Sequence, residues 1–123
     1  MAGSRTVNGD ISAEHVTASG ALCCSGLINA EEIFLKADRQ MTVGSIGGGR
    51  IILRRKIISP FIKRRILVST AIEGDELSLS YVTCPAVTGR TVTVGKGCRI
   101  DLVQSSENVE ISPGARGGRI EKI

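Results

Sequence analysis

A repeat with a period of about 17 residues constrains the fold of this chain more than any other feature. The repeated template is Gly-x-Ile-x-small-x-x-apolar-x-apolar, and it begins at Gly9, at Gly26 and at Gly44. The pattern resumes at Ile72-x-Gly74, which recurs 15 positions later as Val87-x-Gly89. Units this short cannot bury an apolar face alone, so consecutive units must stack on one another.

The spacing inside each unit indicates strands, because apolar residues recur two positions apart. About 17 residues accommodate three short strands and three corners, with glycine at corners that need a positive φ and Val or Ile in the interior. We therefore predict an all-β fold, a single-stranded parallel β-helix forming a triangular solenoid of about 17-residue rungs. The uneven apolar spacing departs from the strict hexapeptide of left-handed coils and favours a right-handed one. An immunoglobulin-like sandwich or an open meander is disfavoured, since Asn8-Gly9 is the only hairpin-type turn signal.

The composition suits stacked strands and excludes several classes of protein. The chain has 33 Val, Ile and Leu residues but only two Phe, one Tyr and no Trp. Nucleic acid is disfavoured as a partner, because tolerant single-strand binding uses aromatic platforms. No apolar run approaches the roughly 20 residues of a membrane-spanning helix, and residues 1–6 lack the apolar region of a secretory signal. We expect a single domain over residues 1–123, located in the cytoplasm.

Residues that could carry catalysis or bind a metal are few. His15 is the only histidine, and the four cysteines, at positions 23, 24, 84 and 98, include no C-x-x-C pair. Gly47-Gly48-Gly49 is followed by no P-loop lysine, so it favours a crowded corner over a phosphate site. We expect a protein that is not an enzyme and uses no cofactor or metal. The cysteines are expected to pack as thiols, and a Cys84–Cys98 bridge stays open.

A basic segment interrupts the repeat. The net charge is +4, yet six basic residues and no acidic residue lie between Arg54 and Arg65, and the rest of the chain carries −2. Because Pro60 lacks the donor that a central strand needs, we predict a basic loop or irregular rung over residues 54–69. Apolar residues between two cationic triplets are typical of an interfacial membrane anchor. The candidate contacts to an anionic membrane or another anionic partner are Arg54, Arg55, Lys56, Phe61, Ile62, Lys63, Arg64 and Arg65.

Two other interpretations of the basic segment stay open. Ile57 and Ile58 could complete a rung whose charges lie on a solvated corner, or the segment could bind an acidic protein or nucleic acid.

Four short motifs resemble the bactofilins, the bacterial polymer-forming cytoskeletal proteins. They are Gly26-Leu27-Ile28-Asn29-Ala30-Glu31-Glu32-Ile33, Ile46-Gly47-Gly48, Ile72-Glu73-Gly74-Asp75 and Gly97-Cys98-Arg99-Ile100-Asp101. The resemblance extends from Val7 to Ile123. It implies a right-handed triangular β-helix that assembles end to end into nucleotide-independent filaments. It also implies a scaffold at the inner face of the cell membrane for cell shape or protein positioning, with other cytoskeletal or envelope proteins as partners. Two features depart from the family pattern: no flexible tail precedes Val7, and the repeat is broken between Leu53 and Ile72.

The ends of such a coil are the main candidate site. Each end exposes unpaired backbone groups and a slice of apolar core, which templates further strand pairing. Solenoids that stay monomeric cover their ends, and no amphipathic capping helix is evident before Val7. At the other end, the apolar pattern continues almost to the last residue. We therefore expect the chain to polymerise with itself. The candidate contacts are Val7, Ile11 and Val16 at the N-terminal end and Val109, Ile111 and Ile120 at the C-terminal end. The alternative is a non-polymerising β-helical binding module that docks a partner protein.

Overall fold

Eight strands with parallel pairing make up most of the described part of the chain. The structure, a computed structural model, describes residues 2–7, 9–37, 41–55 and 66–122. The strands are β1 Ala2–Val7, β2 Ile11–Ser12, β3 His15–Ala37, β4 Met41–Arg55, β5 Ile66–Leu79, β6 Val82–Val94, β7 Arg99–Ile111 and β8 Arg116–Lys122. They pair in the order β1-β3-β4-β5-β6-β7-β8, with β2 also on β3. The predicted coil is confirmed as a β-solenoid of about six turns, with rungs about 17 residues apart. The right-handed sense stays a prediction.

Each turn has three faces, because neighbouring turns pair in three separate blocks. Between β4 and β5 the blocks join 41–43 with 66–68, 45–48 with 71–74, and 50–53 with 76–79. We name the three stacks that contain these blocks face 1, face 2 and face 3. Where β3 passes from face 3 to face 1, Gly20 has a φ of +102°, a conformation that side chains with a Cβ rarely adopt. Within the described residues, no helix is long and apolar enough to cross a membrane.

The core is a set of stacked aliphatic columns. On face 2, each turn contributes one inward side chain at equivalent positions in the pairing register. This column consists of Ile11, Ile28, Ile46, Ile72, Val87, Val103 and Ile120. Its five inner members are at most 1% exposed. Since fully burying such a side chain stabilises a fold by about 1.5–3 kcal/mol, these columns explain why the repeat demands an aliphatic residue in register.

A second column on face 2, two positions further along each turn, accepts only small residues. Ala30, Gly48, Gly74, Gly89 and Ser105 follow one another in register. A Cβ at Gly48 would overlap the carbonyl oxygen of Ala30, and one at Gly89 would lie 2.9 Å from that of Gly74. Ser105 is 2% exposed, and its hydroxyl donates to the Arg90 carbonyl at 2.7 Å. Close approach of successive backbones therefore sets the small position of the repeat.

One turn is longer than the others. Met41 pairs with Ile66, 25 positions later, whereas Ile66 pairs with Val82, 16 positions later. Arg54 and Arg55 belong to β4, and residues 66–69 belong to β5, so both ends of the predicted irregular segment 54–69 are strand. Its middle part, residues 56–65, lies outside the described residues. The coil therefore resumes in register after the additional length.

Candidate functional site: the ends and the surface of the coil

The N-terminal end is partly open. Val7 pairs with Cys24 and Ile11 pairs with Ile28. Val7 and Ile11 are half-buried, whereas Cys24 and Ile28 in the next turn are 1% and 0% exposed. Val16 is only 7% exposed. Two of the three residues predicted for this end therefore offer apolar surface, and Val16 offers little.

The C-terminal end exposes more apolar surface. Ile111 is 37% exposed and Ile120 is 52% exposed, while Val109 is half-buried. Their register partners one turn earlier, Val94, Val103 and Val92, are fully buried. The difference arises because β8 covers the last rung on faces 1 and 2 only, and residues 108–111 of face 3 pair with β6 alone among the described strands. All three residues predicted for this end therefore border the open slice of core.

Both ends also present backbone edges. Among the described strands, β1 and β2 pair only with β3, and β8 pairs only with β7. The N–H and C=O groups along such an edge are ready to pair with another strand. This arrangement favours association by strand addition, for which the protein needs no proton transfer and no metal.

A charged residue occupies one position at the C-terminal end where the inner turns carry small residues. Lys122 pairs with the buried Ser105, so it continues the small-residue column. Natural sheets use charges at inward positions of edge strands to oppose further pairing. Sequence analysis missed Lys122, although counting forward 17 positions from Ser105 would have found it.

The outer surface near the corner of faces 2 and 3 carries compensated charges. Ion pairs join Arg50 to Glu76 at 3.2 Å and Arg90 to Glu107 at 2.9 Å. The hydrogen bond and charge of Glu107 raise the pKa of the Arg90 guanidinium. Nearby, the His15 Nδ1 lies 3.4 Å from the Glu32 Oε2. All six side chains are at least half exposed, and exposed contacts of this kind contribute little to stability.

A second surface column on face 3 has a different character. Phe34 is paired in register with Ile52, and Lys36 is paired with Arg54. The Arg54 guanidinium lies 5.6 Å from the centroid of the Phe34 ring. Arg54 is exposed, and the backbone of Arg55 ends β4. The other candidate contacts of the basic segment, Lys56, Phe61, Ile62, Lys63, Arg64 and Arg65, lie outside the described residues.

The cysteines are four free thiols, so the Cys84–Cys98 bridge is not formed. Cys23 is exposed, and Cys24, Cys84 and Cys98 are buried. Burial raises the pKa of the Cys84 thiol to about 11, although its Sγ donates to the Ala86 carbonyl at 3.1 Å. Across the described residues, no three His, Cys, Asp or Glu side chains are grouped so that they could hold a metal ion.

Comparisons with known proteins found one similar sequence. The chain is 32% identical over 89 residues to the uncharacterized protein YhbF of Bacillus subtilis (strain 168). The match covers 72% of this chain but only 38% of the length of YhbF. No protein-family model matched the chain. No solved structure matched it either.

Proposed function

We propose that this chain is a bactofilin-like scaffold that assembles end to end into nucleotide-independent filaments. One observation carries the proposal: among the described residues, aliphatic positions that are buried in the inner turns are partly exposed in the first and last turns. Val103 in the penultimate rung is 0% exposed, whereas Ile120, which stacks on it, is 52% exposed. A second coil placed on this end would cover Ile120 as each inner turn covers the one before it.

The free energy of end-to-end contact would come from apolar burial and strand pairing together. Fully burying an Ile contributes about 1.5–3 kcal/mol, so Ile111 and Ile120 alone do not offset an association cost of about 4–15 kcal/mol. The free edges of β7 and β8 add backbone hydrogen bonds across the same contact. The proposal therefore requires whole rungs to stack, which is a geometry that leads to rods rather than to irregular clusters.

The resemblance to bactofilins gives the proposal its cellular setting. Its motifs build the coil itself: Ile28 and Ile46 lie in the aliphatic column of face 2, and Gly48 and Gly74 lie in the small-residue column. By analogy with that family, the filaments would lie in the cytoplasm at the inner face of the cell membrane. There they would support cell shape or position other cytoskeletal or envelope proteins.

A second candidate function has an observation in its favour. Lys122 occupies a register position where a further stacked turn would cover a charge. This favours a β-helical binding module whose C-terminal end stays closed to further turns and which docks a partner protein. Burying this charge without a partner would oppose assembly.

Negative-stain electron microscopy at several protein concentrations, without nucleotide, separates the two functions. We expect thin unbranched filaments from the native chain, and discrete particles from Ile111→Lys with unchanged β circular dichroism. Leu27→Lys is the matched control, because Leu27 is also exposed (38%) but pairs with Ser45 of β4, four strands away from the C-terminal strand β8 that borders Ile111's end of the coil. Discrete native particles at every concentration would favour the binding module, and filaments from Ile111→Lys would remove that residue from the interface.

A further inference from the structure

We propose that the outer surface of face 3 on β3 and β4 binds the surface of an anionic lipid bilayer. The contact residues are Phe34, Lys36, Ile52 and Arg54, which we call the face 3 patch. The patch lies on the side of the coil, away from both ends. The inference therefore stands whether or not the chain forms filaments.

The centre of the face 3 patch is apolar on an otherwise polar surface. Phe34 and Ile52 are register partners, and both are half-buried on the outer side of face 3. In the following turns their place is taken by Ser78 and then Thr93. Phe34 and Ile52 therefore lie side by side and partly exposed, and they offer an apolar contact that the following turns lack.

The edge of the patch carries two adjacent cations. Lys36 and Arg54 are direct neighbours in register, and like charges in that position are destabilising. Among the described residues, no carboxylate forms an ion pair with either side chain, whereas Arg50, on the same face, is paired with Glu76 at 3.2 Å. Two adjacent cations that pair with no described carboxylate offer a site for an external anion.

A bilayer matches both halves of the patch. Its headgroups supply anions and the underlying acyl boundary supplies an apolar phase, so cations beside an aromatic ring suit the interface. The Arg54 guanidinium, 5.6 Å from the Phe34 ring centroid, places these two elements together. The sequence continues from Arg54 with two more cations, Arg55 and Lys56. Nucleic acid fits less well, since Phe34 is the only aromatic residue of the patch.

Filament formation would strengthen this contact without changing it. If the ends stack as proposed above, each subunit repeats the face 3 patch along the side of the filament, and many weak contacts act together. A non-polymerising variant should then bind vesicles more weakly than the native chain yet keep the same lipid preference. The stronger binding of filaments rests on the proposed function, whereas the binding of single chains does not.

Vesicle co-sedimentation tests the patch. We expect the native chain to bind vesicles of phosphatidylcholine with phosphatidylserine, and to bind pure phosphatidylcholine at least tenfold more weakly. Reversing both charges, with Lys36→Glu and Arg54→Glu, should lower affinity for the mixed vesicles at least tenfold. Lys96→Glu with Arg99→Glu is the matched control, because both residues are exposed and the net charge changes equally. Phe34→Ser should also weaken binding.

Three outcomes would overturn the inference. The native chain could fail to bind mixed vesicles, the face 3 and control variants could lose affinity equally, or binding could be insensitive to phosphatidylserine. Binding of soluble polyglutamate without binding to vesicles would assign the patch to an acidic protein instead. Repeating the assay with Ile111→Lys separates the patch from assembly, since lipid selectivity should persist there if the patch is correct. Circular dichroism checks that every variant keeps its fold.

Discussion

Two adjacent glycines on β4 should respond to the same substitution with opposite signs. A Cβ at Gly48 would overlap the carbonyl oxygen of Ala30 in the preceding turn, a backbone atom that cannot move without shifting a rung. A Cβ at Gly47 would meet nothing closer than the Leu27 Cδ1, at 3.8 Å. Gly48→Ala should therefore destabilise the fold by about 1–3 kcal/mol, the usual range for overpacking. Gly47→Ala should stabilise it by about 0.4–1 kcal/mol, because alanine restricts the unfolded chain more.

Thermal unfolding followed by circular dichroism measures both effects. A change of 1 kcal/mol moves the midpoint of a domain this size by about 4 °C, so the two variants should differ by roughly 5 °C or more. The comparison is internally controlled, since the residues are sequence neighbours and the substitution is identical. Equal midpoints, or a loss of stability in Gly47→Ala alone, would refute the close approach of backbones in the small-residue column.

Two further predictions concern the cysteines. With a thiol reagent at pH 8 we expect one fast equivalent from the exposed Cys23, because Cys24, Cys84 and Cys98 are buried and a pKa of about 11 leaves only about one Cys84 in a thousand as thiolate. Cys23→Ser should abolish the fast phase, and three or four fast equivalents would contradict the burial. The second prediction concerns stability against pH. The pKa of Cys84 is 9.0 in the unfolded chain and about 11 in the folded one, so the thiol ionises more easily after unfolding. Its contribution to the free energy of unfolding should therefore be full below pH 9 and fall as the pH rises toward about 11. Denaturant unfolding of the native chain and of Cys84→Ala between pH 8 and pH 11 measures how the free energy of unfolding changes with pH. This change should be smaller in the variant. Equal changes in both proteins would show that the Cys84 thiol does not cause it.

The repeat predicted the coil because its geometry is local and periodic. The aliphatic positions Ile28, Ile46 and Ile72 could be aligned from spacing, and the structure places them in one column. The small positions at Gly48 and Gly74 were visible in the same template. Their cause, the contact between successive backbones, required coordinates. A periodic pattern therefore predicts which positions of the repeat form the core, but only the structure explains why some of them must be small.

The surface was predicted less well, since outward side chains obey no periodic rule. Lys36 and Arg54 are 18 positions apart and become neighbours only through the register of β3 and β4. Phe34 gave no signal of its own in the sequence, because a lone aromatic residue is compatible with a core or a surface position. At the ends, Ile11 and Ile120 continue the aliphatic column that spacing predicted, whereas Val16 is only 7% exposed. Lys122 was missed because the template was followed through apolar positions only.

Every pairing between the described strands joins one turn to the next, so these strands depend only on their neighbours. The length of the coil can therefore vary without changing its cross-section. Copying a unit of about 17 residues would add one strand spacing, about 4.8 Å, to the rod and leave the contacts between the other turns in place. Relatives of this protein could thus differ in the number of turns, and so in the length of the rod, while sharing one cross-section.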